Sequence, residues 1–365
     1  MSTGFFQVPS PINEPILAYA SGSKEREQLQ NKLADLRAKQ IDIPMHIGGK
    51  SVQGSKKVAM TCPHDHQHVL GHYYEGGKKE VGQAIDAALA AHAAWSATPW
   101  ERRAAIFLKA AELSATKYRM DLNARTMLGQ SKNAFQAEID AACEWVDFLR
   151  FNVHYASQIY ADQPISSPGV WNRVEYRALE GFVYALTPFN FTAIAGNLPA
   201  APALMGNTVV WKPSPTQVYS AGLLMDILTE AGLPAGVINL VLADGPEAGD
   251  VVFNHREFAG VHFTGSTAVF QMIWKNIGNN ISNYKSYPRI VGETGGKDFV
   301  VAHASAEPKA LAVALIRGSF EYQGQKCSAS SRAYVPASLW PAVEAFMKAD
   351  LEAIRMGGTE DFGNF

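Results

Sequence analysis

From Gly181 onward the chain alternates short apolar runs with stretches of helical spacing, and that alternation restricts it to one kind of architecture. Phe182-Val183-Tyr184-Ala185-Leu186, Thr208-Val209-Val210-Trp211 and residues 237–242 and 260–263 are the apolar runs. Helical stretches fill 193–205, 220–231 and 267–277 between them. Strands that are apolar on both faces need cover on both faces, so the pattern predicts an α/β fold with a parallel sheet between helix layers. Ligands in such sheets bind beyond the carboxyl ends of the strands. Those ends carry polar residues and glycines here: 187–190, 212–214, Asp244-Gly245 and 264–266.

The flanking regions read differently. A Pro-, Ser- and Gln-rich lead-in of 45 residues contains a surface helix over 24–39. Short strands follow over 45–61, with a turn at Gly48-Gly49, and then helices over 80–95, 101–120 and 136–158. Residues 162–169 break the pattern, and 171–177 alternate like an exposed strand, a protruding ribbon suited to an oligomer contact. Beyond residue 297 the reading is strand 299–301, helix 308–320, strand 333–335 and helix 339–354. So few strands lead us to expect that the chain stops inside its last domain.

Bulk properties exclude several classes. With 32 basic and 34 acidic residues the net charge is −2, which leaves no electrostatic footprint for nucleic acid or an anionic membrane. Three cysteines, far apart, make no disulfide framework and fit a reducing compartment. No apolar run approaches the ~20 residues that span a bilayer. The first residues look like neither a signal nor a transit peptide, so the expectation is cytoplasmic. His64, His66 and His68 alternate and could share one face of a strand, but no second cluster completes a site. Loop composition before a strand explains them, and no metal is expected.

Cys327 follows Gly324-Gln325-Lys326 and precedes small residues, which reads as a loop turning into a helix. A helix N-terminus would lower the thiol pKa and offer N–H donors to an oxyanion. The competing reading is a buried structural thiol, the fate expected for Cys62 and Cys143. Glu293 lies in the glycine-rich turn Val291-Gly292-Glu293-Thr294-Gly295-Gly296. It is either a solvated loop carboxylate or a general base. Asn190, after a strand, is a turn residue or an oxyanion donor. Lys212 is a surface charge or a partner for a nucleotide. Phe263-Thr264-Gly265-Ser266-Thr267 opens a helix and suits an anion, although Gly-x-Gly-x-x-Gly after the first strand is absent.

Thr187-Pro188-Phe189-Asn190, Trp211-Lys212-Pro213-Ser214, Phe263-Thr264-Gly265-Ser266, Glu293-Thr294-Gly295-Gly296 and Gly324-Gln325-Lys326-Cys327, in this order, resemble the aldehyde dehydrogenase superfamily. Residues 187–194, 320–329 and 144–152 resemble most its branch acting on glutamate γ-semialdehyde. The resemblance extends from about Pro44 to the end. It implies a Rossmann-type cofactor domain from 1–160 and 181–293, an oligomerisation ribbon at 161–180, and the first part of a catalytic domain at 294–365. Cys327 would be the nucleophile, Glu293 the base for deacylation and Asn190 an oxyanion donor. NAD would be held by Thr187, Pro188, Phe189, Lys212, Ser214, Gly245, Gly249, Phe263, Thr264, Gly265, Ser266, Thr267, Ala268 and Val269. Ser328, Phe191 and Glu144 would meet the aldehyde substrate.

Family members run longer and use their later region for the nicotinamide ribose, the substrate carboxylate and the oligomer contact, so the resemblance implies a C-terminally truncated chain and, at full length, a homodimer or higher homo-oligomer. NAD-preferring relatives often carry an acid three positions after the lysine, where this chain has Pro215. The function implied is oxidation of L-glutamate γ-semialdehyde, from Δ1-pyrroline-5-carboxylate, to L-glutamate in proline catabolism. It would occur in the cytoplasm, or in the mitochondrial matrix of a eukaryote. The alternatives are another semialdehyde dehydrogenase, a non-catalytic chain that keeps the fold, or a cysteine hydrolase using Cys327 and Glu293 alone.

Overall fold

The computed structural model describes residues 6–365. Helix α1 (Lys24–Arg37) leads into β1 (Met45–Ile47), β2 (Lys50–Val52) and the hairpin of β3 (Lys56–Cys62) and β4 (Asp65–Glu75). Helices α2 (Lys78–Ser96), α3 (Trp100–Ala115), α4 (Arg119–Gln130), α5 (Ala134–Ala137) and α6 (Glu144–Ala161) follow. The alternating part is β5 (Phe182–Leu186), α7 (Thr192–Leu204), β6 (Thr208–Lys212), α8 (Val218–Ala231), β7 (Ile238–Leu240), α9 (Gly245–Phe253), β8 (Phe258–Thr264), α10 (Thr267–Asn279) and β9 (Arg289–Glu293). The last unit is β10 (Phe299–Val301), α11 (Pro308–Phe320), β11 (Arg332–Tyr334) and α12 (Trp340–Ala353).

One seven-stranded sheet, in the order β2-β1-β7-β6-β5-β8-β9, forms the centre. The strands from β7 to β9 are parallel, and β1 joins antiparallel beside β7. Every residue of β6 is buried, as an apolar run covered on both sides requires. Helix α7 lies close on α6, where a Cβ on Gly196 would stand 2.7 Å from the Trp145 ring. Strands β10 and β11 make a separate parallel pair over a small core of Leu311, Ala312, Leu315 and Val343.

Several sequence expectations need correction. The helix expected over 101–120 breaks at Thr116, whose backbone leaves the helical region, and a new helix, α4, begins at Arg119. The helix expected over 136–158 begins at Ala134 and contains a π turn over Glu138–Cys143. No strand forms over 171–177. Side chains knit that loop instead: Val174 N–H donates to Gln163 Oε1 (3.0 Å) and Asn172 Nδ2 donates to the Ile165 carbonyl (2.9 Å). The histidine run is not a loop before a strand: His66 and His68 lie on β4 itself. Among the described residues no group of His, Cys, Asp or Glu is placed to hold a metal, and no helix is long and apolar enough to cross a membrane. The lead-in before α1 is an extended arm pinned along the π turn and α6.

Candidate active site

Glu293 is the last residue of β9, paired with Thr264 of β8. The sequence reading put it in a turn; the ladder beside β8 gives it a fixed backbone instead. Gly265 N–H donates to the Glu293 carbonyl (3.1 Å), which ties the turn before α10 to this strand end. The neighbouring Gly292 lies under Phe270, where a Cβ would stand 2.2 Å from the ring. After β9 the chain passes Gly296, and a Cβ there would lie 1.6 Å from the Cys327 carbonyl oxygen. Only glycine permits that approach.

Cys327 comes from the other side, out of α11. The chain reverses through Tyr322, Gln323 and Gly324, all with positive φ (52°, 53° and 71°). Left-handed backbone at two non-glycine residues is strained and persists only where the surroundings enforce it. Here the Tyr322 ring is buried and its hydroxyl donates to the Gln130 carbonyl (2.8 Å). Lys326, next to the cysteine, pairs with Asp140 (3.0 Å) and Glu321 (2.9 Å). Asn190 Nδ2 donates to the Gln325 carbonyl (2.9 Å), so the loop after β5 holds the Cys327 loop directly.

The expected helix after Cys327 is absent: the residue sits in a turn that runs on into β11. No helix N-terminus therefore lowers its pKa. Burial and the Glu293 carboxylate beside it push the thiol up to about 11. At neutral pH that keeps the thiol protonated beside the Glu293 carboxyl. Cys62 and Cys143 are buried, as expected, and burial with Glu138 pushes the Cys143 thiol up to about 12.

Two clefts are lined by residues that the sequence reading named. One, of about 410 Å³, lies between α9 and α10 and is lined by Gly245, Gly249 and Val269, with Pro246 and Met272. Ser266 caps α10, its Oγ accepting from Val269 N–H (3.3 Å), and leaves Thr267 and Ala268 exposed in the first turn. The Lys212 ammonium is buried and, among the described residues, has only the Pro213 carbonyl, 3.4 Å away. Thr187 accepts from Trp211 Nε1 (3.0 Å), and its carbonyl accepts from Ser214 N–H (3.1 Å). Phe263 stacks on Phe270, 5.4 Å between centroids, so Thr187 and Phe263 brace the strand ends rather than line this cleft. Pro188 is buried, and Phe189 borders another hollow, beside Gln130 and Tyr322.

The second cleft, of about 760 Å³, is lined by Glu144, Phe191 and Ser328 together with Lys326 and Asp140. Burial and then Asp140 push the Glu144 carboxyl up to about 8. Beneath Phe191 lies Lys132, fully buried, 2.7 Å from Asp140 and 3.9 Å from the Phe191 centroid. The sequence reading missed Lys132 and Asp140. Ser131-Lys132-Asn133 looks like an ordinary polar turn, and no signal in it marks a buried cation.

The fold and this junction define a class. The model of the aldehyde dehydrogenase family matches residues 50–364, and the chain belongs to that family. It is 50% identical over 366 residues to a Schizosaccharomyces pombe protein named probable delta-1-pyrroline-5-carboxylate dehydrogenase, covering 99% of this chain and 67% of that one. It is 50% identical over 364 residues to the mitochondrial delta-1-pyrroline-5-carboxylate dehydrogenase of Emericella nidulans, covering 99% and 64%. The crystal structure of the Mycobacterium tuberculosis delta-pyrroline-5-carboxylate dehydrogenase bound with NAD superimposes with a TM-score of 0.97 at 53% identity, covering 100% of this chain and 68% of that one. The chain thus spans about two thirds of the length of the relatives it matches.

Proposed function

We propose that the chain serves the NAD-dependent oxidation of L-glutamate γ-semialdehyde, the open form of Δ1-pyrroline-5-carboxylate, to L-glutamate. The observation that carries this reading is the approach of Cys327 to Glu293 and the hold of Asn190 on the Cys327 loop, beside the cleft lined by Lys326 and Ser328. The relatives' names supply the substrate and NAD.

The residues present fit the cofactor. Lys212 is a buried cation short of acceptors, suited to ribose hydroxyls. Gly245 has open space where a side chain would stand, so a ligand can lie against its backbone. Gly249 and Val269 line the same cleft, and Ser266 caps the helix that carries Val269. When bound, the nicotinamide takes the hydride from the aldehyde carbon.

The chain's own residues do the rest. The Cys327 thiol gives its proton to solvent water, and the thiolate attacks the aldehyde carbon to form a C–S bond. The second hydrogen on Asn190 Nδ2 and the Cys327 N–H hold the resulting oxyanion. Loss of hydride leaves a thioester on Cys327. Glu293 then takes a proton from water, which attacks the thioester carbon and releases glutamate and the thiol. Ser328 and Glu144 position the substrate beside Phe191.

On this reading residues 1–160 and 181–293 form the cofactor domain, 294–365 belong to the catalytic domain, and 161–180 contribute to a homodimer or higher homo-oligomer. The compartment is the cytoplasm, or the mitochondrial matrix in a eukaryote. The test is NADH formation by the protein from its complete reading frame, comparing glutamate semialdehyde, succinate semialdehyde and propanal. A clear preference for glutamate semialdehyde is expected. Equal efficiency with propanal overturns the assignment.

A further inference from the structure

The extended arm before α1 lies along the π turn and α6 and becomes part of the second cleft. Asn13, Glu14 and Ile16 line the same cavity as Glu144, Phe191 and Ser328. Nothing in the arm's sequence marks it for this: it lacks helical or strand periodicity and lies more than a hundred residues from every other lining residue.

Its placement is enforced by an unusually deep set of contacts. Asn13 Nδ2 donates to Asp147 Oδ2 and Glu14 N–H to Asp147 Oδ1, both at 2.7 Å. Glu14 is gripped by Arg119 and by Arg150 (2.8 Å), and Arg119 also donates to the Pro15 carbonyl (2.6 Å). Leu17 N–H (2.8 Å) and the Tyr19 hydroxyl (2.7 Å) both donate to Glu138, which is fully buried on the π turn. Arg119 pairs with the same Glu138. A π turn widens the helix by one residue per turn and often marks functional ground. This one offers Glu138 to the arm and Asp140 to Lys132 and Lys326, so it joins the arm to the Cys327 loop through adjacent side chains. Charge-assisted hydrogen bonds onto a buried carboxylate hold a segment far more firmly than surface ion pairs do. Ile16 meanwhile remains 55% exposed toward the cleft, an apolar side chain with no packing duty in the core.

We propose that residues 12–17 are the outer wall of the aldehyde cleft, with Ile16 the residue that limits the size of aldehyde reaching Cys327. The proposal rests on the aldehyde dehydrogenase reading for its substrate but not for its geometry. Bulk added to the wall narrows the path for long aldehydes more than for short ones. Release of the wall widens it.

The experiment uses Ile16→Trp and Asp147→Ala in the protein from its complete reading frame. One readout is kcat/KM for glutamate semialdehyde and for propanal. A second, independent of aldehyde oxidation, is the rate at which Cys327 is alkylated by iodoacetamide and by a bulky fluorescein maleimide, followed by peptide mass. Ile16→Trp is expected to lower kcat/KM about tenfold more for glutamate semialdehyde than for propanal, through KM. It is also expected to slow the bulky maleimide more than iodoacetamide. Asp147→Ala frees the Asn13 side chain and the Glu14 N–H, loosening this end of the arm, and is expected to speed the bulky reagent selectively. Should both substitutions change small and large reagents alike, or neither change any rate, the arm is not a wall of this path. If NADH forms equally with every aldehyde while the alkylation pattern holds, the substrate assignment falls and the wall stands.

Discussion

Asn190 and Gln325, 135 residues apart, are joined by a 2.9 Å hydrogen bond from the asparagine amide to the glutamine carbonyl. This single contact fastens the loop after the central strand β5 to the loop that carries Cys327. It also spends only one of the two Nδ2 hydrogens, which leaves the other for the oxyanion role proposed for Asn190.

Asn190→Ala removes both roles. Loss of one oxyanion donor typically costs roughly a hundredfold in turnover. The expected result is a kcat lower by about that factor, with NAD affinity by fluorescence titration unchanged. A kcat within threefold of the parent would remove Asn190 from the oxyanion site.

Glu293→Gln separates two effects that have opposite signs. The carboxylate raises the thiol pKa because it disfavours a second negative charge beside it. Its removal lowers that pKa, so alkylation of Cys327 at pH 7.5 should accelerate. Thioester hydrolysis should slow at the same time, since no base remains for water. Rapid-mixing measurements should show a burst of NADH near one equivalent, then slow turnover. Cys327→Ala should show neither burst nor turnover.

Asp140 is the counter-ion shared by two lysines, one of them wholly buried. Asp140→Ala leaves Lys132 without a partner in the core, which costs about 3 kcal/mol in the urea midpoint analysis. Burial already holds the Lys132 ammonium down at about 8, so the lysine can shed its proton. The deficit should therefore shrink as pH rises from 7 to 9. A deficit independent of pH would show that Lys132 does not titrate between pH 7 and 9.

The last residues of the chain dock through charge. Glu360 meets His64 (3.5 Å) and Arg37, and the Thr359 hydroxyl donates to the Met127 carbonyl (3.5 Å). Cys62 and then Glu360 raise His64 to about 9, and His64 first among its partners lowers Glu360 to about 2. The raised histidine contributes fully below about 6.5 and loses its contribution as pH climbs through 9. The depressed glutamate contributes above about 4.5 and fades as pH falls toward 2. Hydrogen-exchange protection of residues 357–364 should accordingly be greatest between those bounds. His64→Ala should abolish the loss at high pH; a profile unchanged by that substitution would mean the pair does not hold the segment.

Much of this molecule was legible in advance because its strands are apolar throughout. The runs at 182–186 and 208–212 can only be strands covered on both faces, and their ends point to the ligand side. Cys327, Asn190 and Glu293 were legible as residues in motifs, but not in their setting. Glu293 followed glycines and looked like a turn; parallel pairing with β8 made it strand, a non-local effect no local pattern reports. Small residues after Cys327 suggested a helix, yet the chain extends there to pair β11 with β10. The arm and the Lys132–Asp140 pair were invisible because their meaning lies in partners far away in sequence. The exposed alternation at 171–177 predicted a strand that lacks any partner to pair with among the described residues.

Phe270, stacked flat on Phe263, covers Gly292 so closely that no side chain fits beneath it. Strand β9 lies at an edge of the sheet, where slippage by one position is cheapest, and such a slip would turn Glu293 to the opposite face. It would also drive Val291 or Glu293 into the aromatic ring. A packing contact between two phenylalanines thereby acts as a stop against sliding, and it decides which way the Glu293 carboxyl looks.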